Sequence, residues 1–365
     1  MTAMTGSLAA LYKGKRVLVT GHTGFKGGWL ATWLKMMGSR VAGLALPPEP
    51  GRPSFFESAR VAEGMVSVTA DVRDFDSVCR VFQEHRPEII FHNAAQALVR
   101  RSYGDPIETY ATNVMGTVHV LEAARQTPSL RALVVVTSDK CYENREWVWG
   151  HREQDPLGGF DPYSSSKGCA ELVTAAYRRS FFGAKKSGLL ASARAGNVIG
   201  GGDWSDDRLV PDLVRGILTG ARVVIRNPQA LRPWQHVLDP LHGYLLLARR
   251  LWNREQEFAA PWNFGPQGAS ISVADLAQRW VKLWGRGKIQ FGKNSSRMHE
   301  AHHLKLDCSK AQTRLGWEPC LRADDMLRWT VEWYRKFIRE PRCAQQLTCQ
   351  QITKYLELVS RSPLR

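Results

Sequence analysis

Two short stretches of the chain carry residue types that could perform acid–base chemistry on an alcohol. Ser138, Asp139 and Lys140 directly follow an apolar run, and Tyr163 and Lys167 come further along. A tyrosine and a lysine at positions i and i+4 share one face of a helix. A neighbouring ammonium group favours the phenolate and lowers the pKa of the tyrosine. We therefore predict an enzyme whose tyrosine takes a proton from a hydroxyl group during oxidation, with an acid and an amine available for a further step.

The apolar run before Ser138, residues 133–137, predicts where these side chains lie. Its valines suit a parallel strand that is buried on both faces. Ligands of open parallel sheets bind beyond the carboxyl ends of such strands, so Asp139 and Lys140 should point into a pocket. Further strands are predicted at 16–20, 41–46, 65–69, 88–92 and 189–194. Helices are predicted at 28–37, 74–85, 106–126 and from Pro162 onward, where Asp161 can cap the first turn.

This alternation of strands and helices predicts the fold class. We expect an α/β protein built on a Rossmann-like doubly wound parallel sheet with right-handed crossovers. The alternation stops near residue 200, and nine of the 13 tryptophans lie beyond it. A smaller C-terminal mixed α/β substrate-binding domain should therefore follow. We assign the first domain to 13–200 and the second mainly to 201–336, with an irregular start before them and a basic tail at 337–365.

The composition of the 365-residue chain is typical of a globular protein and argues against several other classes. Hydrophobic residues make up 44% and charged residues 23%, which is ordinary for a soluble domain. The chain has no apolar run of about 18 residues, so we expect no membrane span. It has no basic segment followed by an apolar one at its start, so we expect a cytoplasmic protein. Its seven cysteines include no CxxC pair, which indicates reduced thiols and no metal site.

The net charge of +16 raises the question of nucleic acid binding. The basic residues are scattered, and no segment alternates aromatic residues with arginines as a single-strand binder would. A small anion such as a nucleotide diphosphate would also benefit from positive charge. We therefore expect an anionic small-molecule ligand and no nucleic acid partner.

A glycine motif near the start predicts a dinucleotide-binding loop. Gly21, Gly24 and Gly27 stand between the first predicted strand and the first predicted helix. Glycines at this place allow a tight turn and let backbone N–H groups approach a pyrophosphate at the helix N-terminus. The position of the motif, more than the pattern alone, indicates a nicotinamide dinucleotide cofactor.

The end of the second predicted strand leaves the choice between NAD and NADP open. An acid there usually binds the ribose hydroxyl groups of NAD, but residues 44–47 read Leu-Ala-Leu-Pro. Arg52, downstream, could bind a 2′-phosphate or simply face solvent. Asp71, after the third strand, is a candidate contact for the adenine.

With Asn93-Ala-Ala-Gln96 and Asn113 added, these motifs resemble the extended short-chain dehydrogenase/reductase family. Within it, the chain is most similar to the nucleotide-sugar 4,6-dehydratases. The segments that carry this similarity are GHTGFKGGW (21–29), AQALVRRSY (95–103), TSDKCY (137–142), RAGNVIGGGDW (194–204) and RPWQHV (232–237). The residues after Ser138 distinguish the branches: Asp-Lys, as here, is typical of the branch that acts on CDP-glucose, and Asp-Glu of the TDP-glucose branch. The resemblance covers about residues 13–336.

The resemblance implies an internal redox cycle with NAD, in the service of deoxysugar biosynthesis. Tyr163 would take the proton of the 4-hydroxyl group as a hydride leaves C4, and Ser138 would hydrogen-bond that hydroxyl. Lys140 would remove the C5 proton, and Asp139 would protonate the departing 6-hydroxyl group before the hydride returns to C6. These roles require an uncharged lysine and a protonated carboxyl group. A plain salt bridge between Asp139 and Lys140, and a turn cap at Ser138, are the structural alternatives.

The resemblance also implies the residues that contact each ligand. Those expected at the cofactor are Gly21, Thr23, Gly24, Phe25, Lys26, Gly27, Asp71, Val72, Ala94, Ala95, Gln96, Asn113, Tyr163 and Lys167. Those expected at the nucleotide sugar are Arg101, Arg194, Asn197, Arg208, Arg232 and His299, with Arg100 as a further candidate. A guanidinium group suits a diphosphate because it binds two oxygens at once, although any one of these arginines could be surface charge. Asn113 would kink its helix and join a water relay near Lys167, or it could be a solvated asparagine.

The resemblance finally implies a homodimer, since family members pair through two helices, here near 106–126 and 162–180. Several other functions stay open. The chain could be another nucleotide-sugar dehydratase or an epimerase of the same family. It could also be a catalytically silent dinucleotide-binding protein, although such proteins usually lack the tyrosine or the lysine that this chain retains. A basic nucleic-acid-binding protein is the third alternative.

Overall fold

The apolar runs of the sequence form a seven-stranded sheet in which every neighbouring pair is parallel. The computed structural model describes residues 3–183, 188–268, 270–292 and 303–361. The strands are β1 Arg16–Thr20, β2 Arg40–Ala45, β3 Val66–Thr69, β4 Ile89–His92, β5 Ala132–Val136, β6 Leu189–Ala195, β7 Val198–Ile199, β8 Arg222–Ile225, β9 Leu231–Arg232, β10 Gln235–His236, β11 Pro261–Phe264, β12 Ile271–Ser272 and β13 Lys288–Phe291. The order across the large sheet is β3-β2-β1-β4-β5-β6-β11, so the predicted doubly wound sheet is confirmed.

Helices connect these strands. They are α1 Ala3–Tyr12, α2 Phe25–Met36, α3 Phe55–Ser58, α4 Phe75–His85, α5 Val99–Gly104, α6 Pro106–Tyr110, α7 Gly116–Arg125, α8 Pro162–Ser180, α9 Leu209–Thr219, α10 Leu238–Trp252, α11 Val273–Trp284, α12 Ala323–Arg339 and α13 Ala344–Arg361. The helix predicted at 106–126 is α6 and α7 joined by a π-helical turn. None of the helices in the described ranges is long and apolar enough to cross a membrane.

An apolar layer covers each face of the sheet, as expected for strands that are buried on both sides. One layer includes Leu18, Phe82 and Val120, with α4 and α7 outside it. The other is larger and includes Trp33 and Leu245 of α2 and α10. The remaining strands of the described residues form three two-stranded sheets, β7 with β10, β9 with β12, and β8 with β13. The helices beyond residue 200 pack into the larger apolar layer, so the two parts of the chain share one apolar core.

The two ends of the chain differ from the prediction. The irregular start is in fact α1, whose Tyr12 hydroxyl donates a hydrogen bond to the carbonyl of Leu245 at 2.9 Å. The basic tail is in fact largely the helix α13, which buries Leu347, Ile352 and Tyr355. The Tyr355 ring meets the Trp33 ring edge-on at 5.7 Å. Apolar side chains at helical spacing drive this packing.

A buried polar contact also ties α13 to the core. The carboxylate of Asp239, on α10, is fully buried. Its Oδ1 accepts hydrogen bonds from the backbone N–H of Cys320 at 2.7 Å and from the hydroxyl of Tyr355 at 2.9 Å. Burial raises the pKa of Asp239 to about 7, because the low-dielectric interior disfavours the carboxylate.

The register of the parallel strands determines where the functional residues meet. Thr20 at the end of β1 lies opposite His92 at the end of β4. Val136 at the end of β5 lies opposite Ala193 near the end of β6. The loops that follow these four strands therefore leave the same edge of the sheet, where ligands of doubly wound sheets bind.

Candidate active site

A cleft of about 1490 Å³ lies at this edge of the sheet, between the loops after the central strands and the residues beyond 200. It is large enough for both a dinucleotide and a nucleotide sugar, since single ligand pockets are about 300–1,000 Å³. Its wall includes most of the residues that the sequence predicted: Gly21, Thr23, Gly24, Phe25, Lys26, Gly27, Asp71, Val72, Ala94, Ala95, Gln96, Arg101, Ser138, Asp139, Lys140, Tyr163, Lys167, Asn197, Arg208 and Arg232.

The glycine loop forms one end of the cleft, and its geometry requires glycine. Gly21 has φ of 74°, and a Cβ atom there would lie 2.8 Å from the backbone nitrogen of Ala94. A Cβ atom on Gly27 would lie 2.1 Å from the carbonyl oxygen of Gly21. The loop thus packs backbone against backbone at the start of α2, where a pyrophosphate can approach free N–H groups.

Ser138, Asp139 and Lys140 follow β5 in a single turn of 3₁₀-helix. The Ser138 hydroxyl donates to Asp139 Oδ1 at 3.0 Å, and its oxygen accepts from the Lys140 backbone N–H at 3.3 Å. Lys140 Nζ lies 3.4 Å from the same Oδ1, with 30% of the lysine side chain exposed. Asp139 Oδ2 is buried and has no hydrogen-bond partner among the described residues. The salt bridge and the turn cap are therefore both present.

Helix α8 supplies the tyrosine and the lysine. The Asp161 side chain caps its N-terminus by accepting from the Ser164 backbone N–H at 2.9 Å, and Pro162 occupies the first turn. Tyr163 and Lys167 are 8% and 6% exposed. Placed one helical turn apart, both side chains reach the cleft that Asp139 and Lys140 line.

The expected lowering of the pKa of Tyr163 by Lys167 is wrong for the protein without ligands. Burial raises the pKa of Tyr163 to about 12, and Asp139 adds to this increase, although a hydrogen bond from Ser138 opposes it. Burial also lowers the pKa of Lys167 to about 8. Desolvation disfavours both charged forms here, so burial is the main cause of both pKa shifts.

Asn113 lies in the π-helical turn Ala111–Met115 and is 1% exposed. Its Oδ1 accepts from the backbone N–H of Gln96 at 2.8 Å, and its Nδ2 donates to the carbonyl of Gln96 at 3.0 Å. The same Nδ2 donates to the Ser166 hydroxyl at 2.8 Å. The solvated alternative is thus wrong, and Asn113 connects the loop after β4 to the helix that carries Tyr163 and Lys167.

One of the residues predicted to bind the substrate, Arg194, is not on the wall of the cleft. Arg194 is 2% exposed and lies beneath it, where its guanidinium group donates to Glu171 at 2.7 Å. A guanidinium inside the protein needs a carboxylate partner, and α8 provides one. His299 lies outside the described residues.

Two of the predicted arginines that do line the cleft are held by carboxylates in this structure. Arg208 Nη1 lies 3.1 Å from Asp203 Oδ2, and Arg101 Nη2 lies 2.9 Å from Glu108 Oε2. The carboxylate of Asp71, the predicted adenine contact, accepts from the side chain of Arg73. A diphosphate that binds here would have to compete with these acids for the guanidinium groups.

The sequence analysis missed Asn93, a residue of the cleft wall. Asn93 lines the cleft with both atoms of its side-chain amide buried and unpartnered among the described residues, although it begins the Asn-Ala-Ala-Gln motif. Arg52, considered as a phosphate ligand, is instead paired with Asp206, across the mouth of the cleft. Burial and the nearby Lys167 lower the pKa of Lys26 to about 7, so the cleft is crowded with cations. No cluster of possible metal ligands occurs among the residues described.

Comparison with known proteins agrees with this geometry. A family model described as GDP-mannose 4,6 dehydratase matches residues 18–330. The chain belongs to this family. The CDP-glucose 4,6-dehydratase of Salmonella typhimurium strain LT2 is 50% identical to this family member over 357 residues, which are 96% of this chain and 98% of the relative. The resemblance to nucleotide-sugar 4,6-dehydratases that the motifs indicated is confirmed.

Solved structures show how widely the fold of this family member is shared. The dTDP-glucose 4,6-dehydratase of Bacillus anthracis, in complex with NAD, matches 88% of this chain and 96% of its own with a TM-score of 0.74 at 22% identity. The UDP-glucose 4-epimerase of Thermus thermophilus, also in complex with NAD, matches 87% and 98% with a TM-score of 0.75 at 25% identity. The fold is therefore common to dehydratases and epimerases, and it does not by itself select the reaction.

Proposed function

We propose that this protein converts CDP-D-glucose into CDP-4-keto-6-deoxy-D-glucose and water. The observation that carries the proposal is the pair Asp139 and Lys140, which lines the same cleft as Tyr163 and Lys167. An epimerase needs only the second pair, whereas the loss of water needs an acid and a base as well. The relative from Salmonella typhimurium, at 50% identity over nearly the whole chain, supports CDP-glucose as the substrate.

The cofactor of the proposed reaction is NAD, and the glycine loop fits it. The positions at which a Cβ atom would collide with backbone, Gly21 and Gly27, border the place where a pyrophosphate would approach. The residues that would hold the dinucleotide are Gly21, Thr23, Gly24, Phe25, Lys26, Gly27, Asp71, Val72, Ala94, Ala95 and Gln96. When bound, NAD⁺ supplies the acceptor for a hydride from C4, the donor that returns it to C6, and a positive charge that favours the phenolate of Tyr163.

In the proposed oxidation, Tyr163 takes the proton of the 4-hydroxyl group. The Lys167 ammonium group, on the same face of α8, favours the phenolate that this transfer requires. The Ser138 hydroxyl, at the start of the 3₁₀ turn, is suited to orient the 4-hydroxyl group. The product of this step is a ketone at C4, which acidifies the proton on C5.

In the proposed elimination, Lys140 acts as the base and Asp139 as the acid. Lys140 Nζ removes the C5 proton, and Asp139 Oδ2, the oxygen without a partner among the described residues, donates a proton to the departing 6-hydroxyl group to form water. Lys140 then returns its proton to C5 when C6 is reduced. The proton that Tyr163 takes at C4 equals in number the proton that Asp139 gives, and its transfer from Tyr163 to Asp139 returns both groups to their starting protonation states.

For the nucleotide diphosphate we propose Arg101, Asn197, Arg208 and Arg232. All four line the cleft, and a guanidinium group can bind two phosphate oxygens at once. The Oδ1 atom of Asn197 is buried without a partner among the described residues, so it can accept a hydrogen bond from the ligand.

We also propose a homodimer that pairs through α6, α7 and α8. Large apolar side chains are exposed on these helices and on the turn between them: Ile107 is 82% exposed, Met115 48% and Leu172 59%. An apolar patch on the surface of a soluble domain often marks an interface.

The experiment that tests the function is incubation of the purified protein and NAD⁺ with CDP-glucose, and separately with dTDP-, UDP- and GDP-glucose and GDP-mannose. We expect a 4-keto-6-deoxy sugar from CDP-glucose, seen by its absorbance in alkali, with no net reduction of NAD⁺. Product with another nucleotide only would keep the mechanism and overturn the substrate. A 4-epimer in place of the keto sugar would overturn the elimination.

A further inference from the structure

The turn that carries Asp139 and Lys140 is held at both ends by one buried ion pair. Thr137 precedes the turn, and its hydroxyl donates to Glu171 Oε1 at 2.5 Å. Tyr142 follows the turn, and its hydroxyl accepts from Arg194 Nη1 at 2.7 Å. Glu171 and Arg194 bind each other at 2.7 Å, with side chains 2% and 3% exposed.

Several other groups support this ion pair. Glu171 Oε2 also accepts from the Ser192 hydroxyl at 2.8 Å, and Arg194 Nη1 also donates to the carbonyl of Glu153 at 3.0 Å. The guanidinium group lies 4.8 Å from the centre of the Tyr142 ring. A buried ion pair contributes little net stability compared with apolar residues of the same volume. Its contribution here is geometric, because satisfied buried networks rigidify their surroundings.

The network connects the residues proposed for the oxidation with those proposed for the elimination. Glu171 follows Lys167 by one turn on the buried face of α8, so it moves with the helix that carries Tyr163. On the other side, the Tyr142 hydroxyl donates to Asn263 Oδ1 at 2.7 Å on β11. The ion pair thus joins the helix of the oxidation residues to the turn of the elimination residues.

We propose that Glu171 and Arg194 are positioning residues for the elimination. They hold Thr137 and Tyr142, and so keep Asp139 and Lys140 aimed at the sugar that Tyr163 has oxidised. Neither Glu171 nor Arg194 is among the residues that line the cleft. This inference rests on the proposed function, because it assigns the ion pair to one step of that reaction.

The test separates oxidation from elimination in a single turnover with CDP-glucose. Tyr142→Phe removes only the hydroxyl group, and Arg194→Lys keeps a cation beside Glu171 but cannot bind both partners in the way that a guanidinium does. For both variants we expect kcat to fall by about tenfold to a hundredfold, since small misplacements of catalytic groups cost that much. We expect KM to change less, and reduced cofactor to accumulate on the enzyme because oxidation outpaces elimination.

Arg178→Lys is the matched control. Arg178 is also largely buried and interacts with Glu171, but it has no hydrogen bond to Thr137 or Tyr142 among those described. We expect the Arg178→Lys variant to accumulate no more reduced cofactor than the wild type, because oxidation and elimination keep their relative rates. The proposal is overturned if Tyr142→Phe and Arg194→Lys show no extra reduced cofactor, or if oxidation and elimination slow equally while the variants melt at the wild-type temperature. Wild-type protein that forms no keto sugar would instead overturn the proposed function.

Discussion

Lys140 Nζ lies 3.4 Å from Asp139 Oδ1, while the other oxygen of that carboxylate has no partner among the described residues. The lysine is partly exposed to the cleft, and the aspartate is fully buried. Proton removal and proton delivery can therefore occur side by side. The proposed elimination requires an uncharged lysine and a protonated carboxyl group at the moment when the two residues act.

Removal of either member of this pair should stop the elimination and spare the oxidation. We expect Asp139→Asn and Lys140→Met each to lower kcat by about 10²–10⁴-fold, the usual contribution of a general acid or base. Rapid mixing with CDP-glucose should show reduced cofactor that persists. Arg145→Gln, at an exposed arginine in the following loop, is the control and should behave as the wild type. Lys140→Met with wild-type turnover would remove Lys140 as the base.

The glycine loop predicts different outcomes for two alanine substitutions. Gly27→Ala places a Cβ atom 2.1 Å from the Gly21 carbonyl, whereas the nearest contact of a Cβ atom on Gly24 is the same oxygen at 3.4 Å. We expect Gly27→Ala to lower the free energy of unfolding by about 1–3 kcal/mol and to weaken NAD⁺ binding. Gly24→Ala should melt near the wild-type temperature. Calorimetry of unfolding and of NAD⁺ binding measures both effects, and equal stability of the two variants would contradict this account of the loop.

The proposed dimer should depend on the apolar face of α8. Leu172→Arg puts a charge into the expected interface, and we expect the dissociation constant of the dimer to rise by about thirtyfold or more. Sedimentation velocity over a range of concentrations measures the shift. Val148→Arg is the control, since Val148 is 80% exposed but lies in the loop after β5. A wild-type protein that sediments as a monomer at every concentration would exclude the dimer.

The buried carboxyl group of Asp239 predicts a pH dependence of stability. Its pKa in the folded protein is about 7, whereas an unfolded aspartate has a pKa of about 4. The folded state therefore binds this proton more tightly than the unfolded state does. The contribution of Asp239 to the free energy of unfolding is fully present below about pH 4 and is lost as the pH rises through about 7. His242, also buried on α10, has a pKa lowered by burial to about 3 and acts in the opposite direction.

The Asp239→Asn variant isolates this effect, because an amide resembles the protonated carboxyl group. Compared with the variant, the wild type should lose free energy of unfolding between about pH 5 and about pH 8. Urea unfolding of both proteins at each pH gives the difference, in which the contribution of His242 cancels. Asp76→Asn, at an exposed carboxylate on α4, is the control. If the free energies of unfolding of the wild type and of Asp239→Asn differ by the same amount at both pH values, the pKa of Asp239 is not raised.

The sequence predicted the sheet, the glycine loop and the residues that line the cleft because each depends on local pattern. Valine-rich runs mark buried parallel strands, and glycine spacing marks the phosphate loop. The interior polar contacts could not be predicted in the same way. Nothing in the segment 189–195 indicates that Arg194 binds a carboxylate from α8. The sequence analysis instead predicted that Arg194 binds the nucleotide sugar.

The pKa of Tyr163 also could not be predicted from the sequence. Its spacing from Lys167 shows that the two share a helix face, but the pKa depends on how much water the fold excludes.

The C-terminal helix is a different case. Leu347, Tyr355 and Val359 are spaced at intervals that suit one helix face, so α13 was predictable, although the sequence analysis described residues 337–365 only as a basic tail.

The packing of α13 against α2 has a consequence for how the protein is made. The ribosome makes α2 well before α13, yet the Tyr355 ring of α13 packs edge-on against the Trp33 ring of α2. The contact that covers this side of α2 can therefore form only after α13 has been synthesised, so the packing of this early helix is completed late.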